Sequence, residues 1–174
     1  MVASSGVNFG FRRTVPHILG IFLGFPLLLV TIGLGLGAVI SGHPALQAAI
    51  KYLGCGYLLY TAVVMAFARS SAEVDSSVSP KSFQFGLLFQ WINPKAWVMG
   101  VSAMAAYTSL GANHLQQELI VSFAFGCVGL PSIILWTIFG ALIADRLRAP
   151  QAMRIFNIVM GAALALSLLP VLFA

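Results

Sequence analysis

Gln90-Trp91-Ile92-Asn93-Pro94-Lys95-Ala96-Trp97 lies inside an apolar run that covers residues 83–108. At roughly 1.5 Å per helical residue, such a run can cross a hydrocarbon core of about 30 Å with some tilt. Pro94 falls near its middle. It has no N–H to donate to the Gln90 carbonyl, and its ring disfavours helical dihedrals at Asn93. Two half-helices resolve the conflict, with Asn93 capping the second and Pro94 in its first position. A helix N-terminus then opens at membrane depth, with partial positive charge, free N–H groups and Lys95 beside it. The stretch predicts an anion seat inside a membrane span.

Composition sets the class. Sixty per cent of the residues are hydrophobic, 7% are charged and the mean hydropathy is +0.98, values that belong to an integral membrane protein. The formal charge of +5 comes from basic residues scattered singly or in pairs between apolar runs. That dispersion encodes topology and argues against a nucleic-acid partner. Cys55 and Cys127 lie in different apolar runs outside any CxxC pattern, so they read as small packing residues. The N-terminus lacks the basic-then-apolar order of a cleavable signal peptide.

Outward from the motif, five apolar runs are each long enough to span: 15–40, 45–68, 83–108, 119–143 and 153–173. The chain reads as all-α, a polytopic bundle in one transmembrane domain over 1–174, with the lipid bilayer as its solvent. Arg12 and Arg13 precede the first run, Arg69 and Lys81 flank the 69–82 loop, and Arg146, Arg148 and Arg154 surround the end of the fourth. Loops 41–44 and 109–118 carry neither Lys nor Arg. This alternation puts the basic segments in the cytoplasm and the C-terminus outside.

Glycine and proline mark the first and fourth runs. Gly20-x-x-x-Gly24 and Gly33-x-x-x-Gly37 each place two glycines on one face, where a neighbouring helix or a second copy of the chain can approach closely. Pro26 between them is expected to bend the helix, and Pro131 to kink the fourth run beside Gly126, Gly129 and Ser132. These positions are candidates for packing or gating.

Lys95 is the leading candidate for chemistry, since a charge at mid-membrane faces a cavity, a partner or a substrate. Gln90 and Asn93 share its neighbourhood. Lys51 reads as an interfacial anchor, and His17, His43 and His114 lack metal-ligand spacing. Tyr57 and Tyr60 share a face. Glu73, Asp75, Glu118 and Asp145 all fall in expected loops or helix ends, so no span carries a carboxylate. No HExxH, GxSxG or phosphate-binding glycine loop is present. An enzyme is not expected, and no cofactor or metal is implied.

Gln90-Trp-Ile-Asn-Pro-Lys-Ala-Trp97 resembles the Q-x-x-N-P-K signature of the lysine exporter family, in its threonine, homoserine and cysteine efflux branch. Ser5 to Arg13 with Gly20 and Gly24, Gly54-Cys-Gly-Tyr-Leu58, and Pro131-Ser132 before Trp136 match in the same order. The resemblance implies an inner-membrane secondary exporter of small amino acids, driven by proton exchange. It also implies six spans as two inverted three-helix repeats, with 69–82 as the cytoplasmic loop between them. Gln90, Asn93, Pro94 and Lys95 would bind substrate. The family's first span carries a Pro-Gly-Pro break that pairs with Asn-Pro-Lys across the repeat. Here residues 1–14 resemble only the tail of that span and the cytoplasmic loop after it. A mis-assigned start or a truncation is expected, and the alternative reading is a non-transporting partner subunit or fragment.

Overall fold

The computed structural model describes residues 1–67, 79–109, 112–147 and 149–173, and every regular element among them is helical. α1 (Val2–Thr31) continues through a π turn (Ile32–Leu36) into α2 (Gly37–Ser41). Next come α3 (Pro44–Ala66), α4 (Phe83–Ile92) and α5 (Pro94–Tyr107). α6 (His114–Ile143) ends in a 3-10 turn, and α7 (Pro150–Leu166) and α8 (Leu169–Phe173) close the chain. Four helical stretches are long and apolar enough to cross a membrane, and α4 is a shorter apolar helix. The expected third span is therefore delivered in two pieces, neither of which crosses alone at about 1.5 Å per residue. Arg69, Glu73, Asp75 and most of the 69–82 loop lie outside the described residues, as does Arg148.

The N-terminal stretch is helix where a tail and loop were expected. Gly10 leaves the helix with φ 74° and ψ 172°, dihedrals that only glycine adopts without strain. Ser5 Oγ then lies 3.0 Å from Thr14 Oγ1, although nine residues of straight helix would separate them by about 13 Å. Thr14 donates in turn to the Gly10 carbonyl at 2.8 Å. Residues 2–9 thus fold back antiparallel on the start of the long arm, and the loop shrinks to one glycine. The short arm is held by α6: a Cβ on Gly6 would strike the Thr137 carbonyl, and one on Gly140 the Ala3 carbonyl. Arg12 and Arg13 are exposed at this end.

α1 passes Pro26 and α6 passes Pro131 without leaving helical dihedrals. Proline's fixed φ is itself helical, so in a long helix its cost is one lost hydrogen bond and a local steric push. The long arm is interrupted instead at Gly35, with φ 110° inside the π turn. That turn contains Gly33 and ends just before Gly37, so the second glycine pair shares no common face. Gly33 faces Glu118 while Gly37 faces its own Ile32, whereas Gly20 and Gly24 both meet the α4 backbone at Phe83 and Leu87.

α1 packs along α6 and α4, and α3 along α7. Leu28, Leu29, Ile32, Ile40, Ala96, Trp97 and Met104 form one buried apolar cluster, and Cys55, Leu58, Phe89, Leu168 and Val171 another. The outward faces carry Leu53, Phe67, Phe123, Val128 and Leu142 in the open, as expected where the surrounding solvent is hydrocarbon.

Candidate functional site

Asn93 interrupts the α4–α5 line with extended dihedrals, φ −85° and ψ 103°. Its side-chain oxygen accepts from the Lys95 N–H at 3.2 Å. Its carbonyl accepts from Ala96 at 3.0 Å and from Trp97 at 3.3 Å. Asn93 caps the second half-helix as the sequence predicts, but it takes up the N–H groups expected to stay free. The positive character of the seat therefore rests on the Lys95 ammonium and the helix dipole rather than on open backbone donors. Another backbone group freed by the break is satisfied by a side chain: Trp97 Nε1 donates to the Trp91 carbonyl at 2.8 Å.

A cavity of about 200 Å³ opens at the break. Gln90, Asn93 and Lys95 contribute its polar wall, Phe25 and Pro26 of α1 one side, and Gly126 and Gly129 of α6 the other. Gln90 is buried and ties its Nε2 to the Gly86 carbonyl at 3.1 Å, which fixes the amide against α4. Gly20 and Gly24 let α4 lie close on α1, and that spacing brings the break to the cavity. Lys95 is exposed within the bundle's surface rather than packed. With its oxygen committed to the cap, Asn93 keeps its NH2 as a donor.

The remaining sequence candidates divide. Pro94 is buried but turns to a second, larger cavity of about 450 Å³ with Gln47, Lys51, Tyr52 and Trp97. Lys51, expected as an interfacial anchor, thus lines a cavity wall. Gly54 lets α3 close on the break, where a Cβ would meet the Ile92 carbonyl and the Pro94 ring. Pro131 is on an exposed face and lines neither cavity. Tyr57 packs on Phe89 while Tyr60 is exposed, so the two do not act together. Gly33 and Gly37 lie outside both cavities.

One residue escaped the sequence reading. Glu118 was expected in a loop or helix end, leaving the spans without a carboxylate. In the structure α6 already starts at His114, and Glu118 is fully buried in its second turn. His114 Nε2 lies 2.8 Å from Glu118 Oε1. The signal was available in the i,i+4 spacing of the two residues, which puts them on one helix face.

Comparison with known proteins adds the following. A profile of the LysE type translocator family matches residues 1–170. The uncharacterized membrane protein YrhP of Bacillus subtilis is 30% identical over 158 residues, 83% of this chain and 73% of that protein. A cysteine/O-acetylserine efflux protein of Salmonella paratyphi A is 25% identical over 145 residues, 82% of this chain and 72% of that protein. A homoserine/homoserine lactone efflux protein of Salmonella typhimurium is 22% identical over 163 residues, 91% of this chain and 79% of that protein. No solved structure matches.

Proposed function

The chain belongs to the LysE type translocator family, and from that premise we propose that it exports small amino acids through the cavity at the Asn93 break. The family is one of translocators, so this is a membrane transport protein and not an enzyme. Cysteine, O-acetylserine and homoserine are the substrate candidates, because relatives with those names cover most of the chain. The reading includes the cytoplasmic (inner) membrane, proton exchange as the driving force, five crossings and an outer C-terminus.

One observation carries it: Lys95, Asn93 and Gln90 converge on a cavity whose other walls are helices. In this reading the Lys95 ammonium pairs with the substrate carboxylate, and the start of α5 adds its dipole to the same charge. Broken helices presenting their N-termini to anionic substrate groups at mid-membrane are a recurrent transporter design. Support for a two-fold repeat comes from the pairing of α1 with α6 and α3 with α7, which joins corresponding spans of two halves.

Lys95→Ala should abolish export of all three candidates while membrane insertion stays intact. The measurement is efflux from loaded cells, with protein levels checked in the membrane fraction. Efflux equal to that of the unaltered protein would overturn the assignment of the site.

A further inference from the structure

The end of the bundle away from Arg12 and Arg13 carries a polar stripe that the substrate cavity does not use. His114, Glu118 and Ser122 are spaced four apart on α6 and so lie along one helix face. Glu118 is 0% exposed, while the side chain of His114 is 30% exposed and lies between the carboxylate and the surface. Ser122, one turn deeper, is buried. Apart from the 2.8 Å approach of His114 Nε2, neither Glu118 oxygen has a hydrogen-bond partner among the described residues. His114 Nδ1 and Ser122 Oγ have none either.

The chain makes room for this carboxylate. A Cβ on Gly33 would overlap the Glu118 side chain at Cγ, Cδ and Oε1. Gly33 belongs to the π turn at Ile32–Leu36, and such turns concentrate at functional sites. Among the described residues, no other element sets a charge against Glu118. The π turn and α2 have no ionisable residue. α5 has only Tyr107, which is exposed, and Lys95, which lines the cavity at its opposite end. α1 has only Arg12, Arg13 and His17, all in the first turns after the Gly10 reversal, and His43 after α2 is exposed and bonded to the Val39 carbonyl. Burial away from water penalises a charged carboxylate more than the neutral acid.

We propose that Glu118 is the proton-binding carboxylate of this transporter, loaded through His114. The proposal rests on the exporter reading above and names its coupling site. A hydronium ion at the surface protonates the partly exposed His114 at Nε2, and the imidazolium passes that proton to Glu118 Oε1, 2.8 Å away. The imidazole returns to neutrality, the hydronium is left as water, the carboxylate becomes a carboxylic acid, and one proton has entered the bundle. The neutral acid lets α6 stay closed on the Gly33 turn. Loss of the proton leaves a charge there that favours opening.

The test uses the full chain in lipid vesicles, with cysteine, O-acetylserine and homoserine as probes under an imposed pH gradient. The gradient should speed flux in the unaltered protein, and Glu118→Gln should reduce that response by about tenfold or more. Glu118→Asp, which keeps an acid, should retain part of it. Infrared spectra of the same vesicles should contain a titrating carboxylic-acid band that is absent from Glu118→Gln. An unchanged gradient response or an unchanged band in Glu118→Gln overturns the proposal. If the unaltered protein moves none of the probes, the exporter reading fails by itself, and the infrared titration still decides whether Glu118 binds the proton.

Discussion

Asn93 does two jobs with one side chain and one carbonyl, which is why so small a residue organises the site. Its oxygen caps α5 through Lys95 N–H, and its extended backbone gives Pro94 the first helical position. Removing the cap in Asn93→Ala should cost about 1 kcal/mol, seen as earlier thermal unfolding in detergent. Asn93→Asp keeps the cap but sets an anion beside Lys95. The expected outcome is near-normal stability with weakened substrate export, so a denaturation curve and an efflux assay separate the two roles. The cap could be read in advance because proline forbids alternatives locally. The exhaustion of the N–H donors could not, since it depends on the ψ of 103° that Asn93 adopts.

Among the helices, contact is set by backbone approach rather than by large interlocking side chains. Gly24 meets the Leu87 carbonyl and Gly56 meets nothing within 4 Å. Gly24→Leu should therefore separate α1 from α4 and cost on the order of 1–3 kcal/mol of overpacking. Gly56→Ala should be neutral or slightly stabilising, because alanine is the better helix former. Thermal melts of the two variants in one detergent check the contrast. The Gly20 and Gly24 face was legible in the sequence, as a spacing of four on a helix always aligns two residues. The Gly33 and Gly37 face was not. Gly33 belongs to a π turn that ends just before Gly37, and the turn puts Gly33 against Glu118 and Gly37 against its own Ile32. The sequence reads residues 1–14 as the tail of a span and the loop after it; that this loop is a single glycine shows only in the backbone of Gly10 and the packing of the short arm on α6.

Over the whole molecule, the proposed orientation rests on charge. Arg12 and Arg13 lie at one end and Glu118 with His114 at the other. In a variant whose two cysteines are replaced by serine, a cysteine at Ser109 should react in intact cells with a membrane-impermeant thiol reagent. One at Lys81 should react only after the cells are opened. The reverse pattern would invert the assigned orientation. Helical class and the polar wall of the cavity followed from composition and from one proline. The buried acid needed the bundle to be assembled first. Finally, the indole of Trp97 gives the molecule a mechanical property. Across the break, α4 and α5 are joined by one extended residue and by the hydrogen bond from Trp97 Nε1 to the Trp91 carbonyl. A bond of that kind contributes about 1 kcal/mol net, far less than a full helical turn with its packing. The span is therefore a jointed rod, and the indole of Trp97 is the tie across its joint.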